Sequence, residues 1–165
     1  MKIVAYPYVD FLSSPIGNIL IRATKEHICE IEIISKEIAI NTHASSITDE
    51  AKKQLIAYFE GKLKQFSLPV YTEGTAFQKK IWKALESIEY GNTITYLQLA
   101  KQLQNIESVR AVANAISKNK LAIVIPCHRV IGTDGNLTGY AWELKNKQWL
   151  INFEGNISGH LLSLF

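Results

Sequence analysis

Apolar side chains recur with two different periods along this chain, and the change falls near its middle. The first third alternates. Gly17-Asn18-Ile19-Leu20-Ile21-Arg22-Ala23-Thr24 and Ile28-Cys29-Glu30-Ile31-Glu32-Ile33 flank Lys25-Glu26-His27, and in the second run Cys29, Ile31 and Ile33 alternate with Ile28, Glu30 and Glu32. That is the period of a strand with one face buried, so the two runs predict a hairpin. A helix follows, with Thr48 as N-cap, Asp49 and Glu50 at the positive end, and Ala51, Leu55 and Phe59 on one stripe. Gly61 is expected to stop it. Residues 62–71 return to the sheet, where Pro69 permits only an edge or an end.

From Thr75 the spacing turns helical. Thr75 caps a helix carrying Phe77, Ile81, Leu85 and Ile88, which ends near Gly91. Thr95 caps a short helix from Tyr96 to Leu103, Gln104-Asn105-Ile106-Glu107 turns, and Ser108 caps another to about Lys118. Two short helices joined by so tight a turn have the outline of a helix-turn-helix. The second, Val109-Arg110-Ala111-Val112-Ala113-Asn114-Ala115, is rich in small residues, which suit either close approach to another surface or tight packing in the core. Leu121 to Ile125 reads as a buried apolar strand ahead of Pro126-Cys127, and Asp134-Gly135 marks a turn in a glycine-punctuated loop. A last helix is expected from about Glu143 to Glu154, with Gly155 as its end. The architecture expected is therefore α+β, with a small N-terminal α/β domain over 1–73 and a helical domain over 74–165.

Composition narrows the setting. The chain has 165 residues, 47% of them apolar and 20% charged, enough to bury a core without metal or disulfide staples. Its two cysteines, Cys29 and Cys127, form no disulfide framework and suit a reducing compartment. With no secretory leader and no apolar run near the roughly 18 residues of a membrane span, a cytoplasmic protein is expected, or a nuclear one in a eukaryote. Residues 1–74 carry eight Lys/Arg against nine Asp/Glu, whereas residues 75–165 carry ten against six. The basic C-terminal half is compatible with a phosphate backbone as partner.

Cys127 is the residue with most to offer chemically. His128 and Arg129 adjoin it, and cationic neighbours favour the thiolate, the reactive form. Along an extended chain, consecutive side chains point to opposite faces. His128 as a base therefore needs a turned backbone or a bridging water, plus an orienting carboxylate. Asp134, Glu143 and Glu154 are the downstream choices, and spacing selects none of them. Cys29, on the apolar face of a strand, reads as a core residue. Cys29 with His27, His43, His128 and His160 shows none of the short paired spacings of structural zinc, so no metal is expected. A cysteine hydrolase is one alternative, although it would want the nucleophile at a helix start with a distant histidine. A plain helix-turn-helix binding module is another, and it leaves Cys127-His128 idle.

Asn119-Lys120-Leu121-Ala122-Ile123-Val124-Ile125-Pro126-Cys127-His128-Arg129-Val130 closely resembles the active-site segment of the O6-alkylguanine-DNA alkyltransferases (methylated-DNA–protein-cysteine methyltransferases). Phe77-Gln78, Trp82, Tyr90-Gly91, Ile94-Thr95-Tyr96, Arg110-Ala111-Val112, Gly139-Tyr140, Lys147, Leu150 and Glu154 fall at similar spacings, as do Ser14-Pro15-Ile16-Gly17 and Tyr58-Phe59-Glu60-Gly61. The resemblance implies a ribonuclease H-like first domain and a second domain whose helix-turn-helix lies in the minor groove. It implies double-stranded DNA containing O6-alkylguanine as substrate, base flipping, and a monomer that reacts once without cofactor or metal.

The resemblance also assigns roles. Cys127 accepts the alkyl group, His128 takes the thiol proton through water, and Glu154 orients His128. Tyr96 serves ring N3 of guanine, and Asn119 braces the turn before the cysteine. Arg110 fills the space left by the flipped base. Ala111, Ala113 and Ala115 admit the groove, with Asn114 on the same DNA-binding helix. Val130, Tyr140 and Ala141 frame the base. Ala113 and Glu143 stand where many members have glycine, and Ala141 replaces a bulkier or polar residue. A lesion sensor that binds without transferring is a further alternative, but such proteins typically lack the cysteine.

Overall fold

The computed structural model describes residues 6–37, 39–104 and 109–160. Two compact units divide the chain: residues 1–72 with 120–122, and residues 73–119 with 123–165. The mixture is α+β, with a small sheet in the first unit and helices dominating the second.

In the first unit β1 (Tyr8–Ser14), β2 (Gly17–Ala23) and β3 (Ile28–Ile34) form an antiparallel sheet in that order. The β2–β3 hairpin is the one its alternation predicts. The pattern hides β1, because its inward positions carry Asp10 and Leu12 while Phe11 faces outward, 41% exposed. Asp10 tolerates burial because Lys52 Nζ lies 3.2 Å away and the Phe11 amide donates to it. Helix α1 (Ser46–Phe59) begins three residues earlier than predicted, capped by Ser45. Thr48 is instead the third helical residue, closing a reciprocal capping box with Ser45. Tyr58 rather than Phe59 is the fully buried aromatic at the end of α1.

Two outside segments finish the β3 edge. Ile28 exchanges backbone hydrogen bonds with Pro69 and Tyr71, and Ile31 does so with Lys120 and Ala122. Only Leu121 bridges to the sheet, so the apolar run 121–125 is not the strand expected of it. Ile123 sits at φ +71°, in the left-handed region that a β-branched residue rarely enters, and there the extended course breaks.

The second unit contains α2 (Ala76–Leu85), β4 (Ile94–Thr95), α3 (Tyr96–Gln102), α4 (Val109–Ser117), β5 (Val130–Ile131) and α5 (Leu144–Ser158). Thr75 and Thr95 cap their helices as predicted, each in a box with the glutamine three residues on. The expected cap Ser108 and the turn 105–107 lie outside the described residues. Ile81, Leu85, Leu99, Val112, Ile116, Leu150 and Ile151 form the buried core, and the Trp82 indole donates to the Ala115 carbonyl over 2.8 Å. Strand β4 pairs in parallel with β5, Ile94 with Val130 and Thr95 with Ile131, which sets the start of α3 beside the cysteine turn. Helix α5 runs past Gly155 and ends at Gly159, φ +75°. Gly155 is therefore no terminator. A Cβ there would lie 2.8 Å from the His160 carbonyl oxygen, so the glycine permits close approach.

Candidate active site

The backbone turns twice to present Cys127. Pro126, at φ −81° and ψ 60°, lets the Cys127 amide donate back to Ile125 over 2.8 Å, an inverse γ-turn. A single 3-10 turn over Cys127–Arg129 follows, closed by Arg129 N to Pro126 O at 3.0 Å. Consecutive side chains therefore stand about 120° apart instead of on opposite faces as along a strand.

Cys127 is 5% exposed and faces a cavity of about 550 Å³, with Tyr96, Arg110, Ala113, Tyr140, Ala141 and Trp142 among its walls. This volume is within the ordinary range for a small-molecule site. Asn119 Nδ2 donates to the Ile125 carbonyl at 3.0 Å and to Cys127 Sγ at 3.3 Å. Burial pushes the thiol up to about 11, against the lowering effects of the Asn119 hydrogen bond and the Lys147 charge. That corrects the expectation of a resting thiolate favoured by His128 and Arg129. At pH 7 only about one cysteine in ten thousand would be ionised, so reaction requires a base.

His128 and Arg129 are both turned toward Glu154. His128 Nε2 is 2.8 Å from Glu154 Oε1, and His128 is fully buried. Arg129 donates through Nε to Oε2 at 2.8 Å and through Nη2 to Oε1 at 2.9 Å, while Nη1 donates to the Ile88 carbonyl. Burial alone would raise the Glu154 carboxyl, but His128 and Arg129 outweigh it and hold the group far below the usual carboxylate range. Burial moves His128 the other way, below its ordinary value, helped by the Arg129 and Lys147 charges and opposed by Glu154. An ionised carboxylate only accepts, so Nε2 carries the hydrogen and Nδ1 keeps a lone pair. Nδ1 is buried and has no hydrogen-bond partner among the described residues.

The other expected residues divide into groups. Tyr96 and Tyr140 reach the cavity; the Tyr96 hydroxyl donates to the Thr138 carbonyl at 3.2 Å, and the Tyr140 hydroxyl is buried with no hydrogen-bond partner among the described residues. Ala141 lines the cavity, whereas Val130 is wholly buried in the β4–β5 pair beside it. On α4, exposed Arg110 and half-buried Ala113 border the cavity, while half-buried Ala111 and exposed Asn114 are absent from its walls. Ala115 points into the core, so only part of the small-residue stripe faces outward. Glu143 caps α5 at φ +69°, in the left-handed region that favours glycine.

Lys147 is the functional side chain that the residue-level reading passed over. It is fully buried, and its Nζ donates to the Thr138 and Gly139 carbonyls at 3.1 and 3.2 Å and lies 5.7 Å from the centre of the Tyr96 ring. Burial lowers it to about 8, partly offset by attraction to Cys127. The signal was available: Lys147, Leu150, Ile151 and Glu154 recur at three- and four-residue steps, putting a lysine and a glutamate on the apolar stripe of α5.

The fold and the site define a class first: a two-unit protein with a buried cysteine on a cavity, a histidine–glutamate pair next to it in sequence, and a short helix pair bordering that cavity. The comparisons then give the family. A model of the 6-O-methylguanine DNA methyltransferase ribonuclease-like domain matches residues 8–72, and a model of the DNA binding domain of the same enzymes matches residues 76–156. A methylated-DNA–protein-cysteine methyltransferase of Methanosarcina barkeri is 44% identical over 90% of this chain and 98% of its own. The constitutive enzyme of that name from Bacillus subtilis is 38% identical, covering 89% and 94%. The crystal structure of Mycobacterium tuberculosis OGT in complex with DNA superposes with a TM-score of 0.81 at 34% identity, covering 89% of this chain and 92% of that one. The chain belongs to the 6-O-methylguanine DNA methyltransferase family.

Proposed function

We propose that this protein repairs double-stranded DNA by moving the alkyl group of O6-alkylguanine onto Cys127 in a single, self-inactivating reaction. The observation that carries the reading is Cys127, held on the cavity by Asn119 with a Glu154-anchored histidine next in sequence. His128 Nδ1 takes the thiol proton through a water, since Nε2 is committed to Glu154. As the sulfur–carbon bond forms, the carbon–O6 bond breaks and its electron pair leaves with guanine. The Tyr96 hydroxyl, at the cavity wall, serves N3 of the departing base. The base must leave the stack to reach a buried sulfur. Arg110, exposed at the cavity margin on α4, fills the gap, and Ala111, Ala113 and Asn114 lie along the helix that meets the groove. The backbone of Val130, Tyr140 and Ala141 reads the base edge.

The product is a thioether, which nothing in this scheme reverses, and neither metal nor cofactor enters it. The nucleophile, base and cavity belong to one unit of one chain, which supports a monomer. The curated relatives cited are archaeal and bacterial, where DNA lies in the cytoplasm, and that is the compartment this reading implies. Among the described residues no helix is long and apolar enough to cross a membrane. Incubation with an O6-methylguanine duplex followed by peptide mass spectrometry should find one added methyl, on Cys127. Tight binding without an adduct would overturn the reading and leave a lesion sensor.

A further inference from the structure

Glu154 is shared by two donors, and the sharing is unequal. Arg129 takes both carboxylate oxygens, whereas His128 reaches only Oε1. The guanidinium is itself held in place. Nη1 donates to the Ile88 carbonyl, the Tyr90 ring lies 5.6 Å from the guanidinium carbon, and the Gly91 amide donates to Glu154 Oε2 at 3.2 Å. Arg129 and Glu154 are both buried, so the pair is well shielded from water and balances its own charge.

We propose that Arg129 is a positioning residue for alkyl transfer: by forking onto Glu154 it holds the Cys127–His128 dyad in its uncharged form until substrate is in place. Its one positive charge neutralises Glu154, the only carboxylate in contact with His128 among the described residues. Protonating His128 would then leave the buried cluster with a net positive charge, which burial penalises. Among the described residues, the charged and titratable groups around the dyad are Glu154 and Lys147 from α5, Arg129 and Cys127 from its own turn, Tyr90 on the loop between α2 and β4 beside Arg129, and buried Tyr140, which senses both Cys127 and Glu154. Glu154 alone among these favours the imidazolium. With its charge committed to Arg129, the imidazole is a weak base and the thiol keeps its proton at rest. The nucleophile is thereby guarded against stray electrophiles, yet a base with a fixed tautomer stands ready. This inference rests on the proposed alkyl transfer for its meaning, but not for its test.

Imidazole nitrogen NMR of the full-length protein should show His128 neutral between pH 6 and 8, with hydrogen on Nε2. A His128 that is charged at pH 7, or that carries hydrogen on Nδ1, would overturn the proposal whether or not the protein transfers alkyl groups. In single-turnover transfer, Arg129→Gln should move the acid limb of the pH–rate profile up by about one pH unit, and Arg129→Lys by less, since the charge stays and the fork is lost. A rate lowered equally at every pH, with the limb unmoved, would make Arg129 a structural residue only. If Arg129→Gln does not fold, Arg129→Lys and the wild-type tautomer still decide. Failure of the wild type to accept a methyl would remove the repair function while leaving the NMR result to judge the charge state.

Discussion

The two cysteines share everything that a composition table records and differ in what surrounds the sulfur. Both are free, both are buried, and burial raises the thiol of each. Cys29, on β3, donates its hydrogen to the His27 carbonyl, and although hydrogen bonding from Thr24 favours its thiolate, the charge of the adjacent Glu30 opposes ionisation. Cys127 instead accepts from the Asn119 amide, and the buried Lys147 favours its ionisation. A sulfur beside a carboxylate is held as the thiol, whereas one that faces a cation and borders a cavity can become the nucleophile. Burial by itself does not separate a core cysteine from a reactive one. The sign of the neighbouring charge and access to the cavity do.

The most severe test exchanges their fates. Cys127→Ser should abolish the methyl adduct seen by mass spectrometry, while Cys29→Ala should retain it at the wild-type rate and cost stability of about 1 kcal/mol through a small cavity. An adduct on Cys29 in either protein would break the comparison. Next in size is the charge facing Cys127. Lys147→Met should slow single-turnover transfer about 10- to 1000-fold at pH 7, since an opposite charge close to an acid is worth about one to three pH units. The same substitution should leave chemical labelling of Cys29 in the unfolded protein unchanged.

The smallest effect is a dependence of stability on pH. A lysine lowered to about 8 in the folded state binds fewer protons there than in the unfolded chain, at pH values between about 8 and the ordinary 10.5. Stability therefore carries a cost below pH 8 that is relieved as pH rises through this window. Cys127, raised to about 11 from the ordinary 9, acts in the opposite sense and mainly above pH 9. The stability gained by Lys147→Met over wild type should thus shrink by about 1 kcal/mol from pH 8 to pH 9, measured by denaturant unfolding. A constant difference across that interval would place Lys147 in ordinary solvent and weaken its part in the contrast.

Much of the frame was legible because it depends on local rules. Alternation marked β2 and β3, and threonine followed three residues later by glutamine marked the starts of α2 and α3. The misreadings came where tertiary contacts overrode such rules. Asp10 faces inward because Lys52 pairs with it, which concealed β1. Gly155 looked like a stop but marks a close approach to the His160 backbone. The apolar run 121–125 looked like a strand, yet Ile123 turns it after Leu121 has joined the sheet.

At the site, the motif alone singled out Cys127 and His128, and the family resemblance selected Glu154. It could not say that Arg129 joins His128 on Glu154, or that the cation influencing the thiol is Lys147, twenty residues further on. The sequence by itself determined which groups can react, because that is a property of side-chain chemistry and of local backbone preference. Only the tertiary structure decided which protons those groups hold. Proton affinity depends on burial and on charges brought together from distant parts of the chain, and α5 supplies both the carboxylate and the lysine that set it.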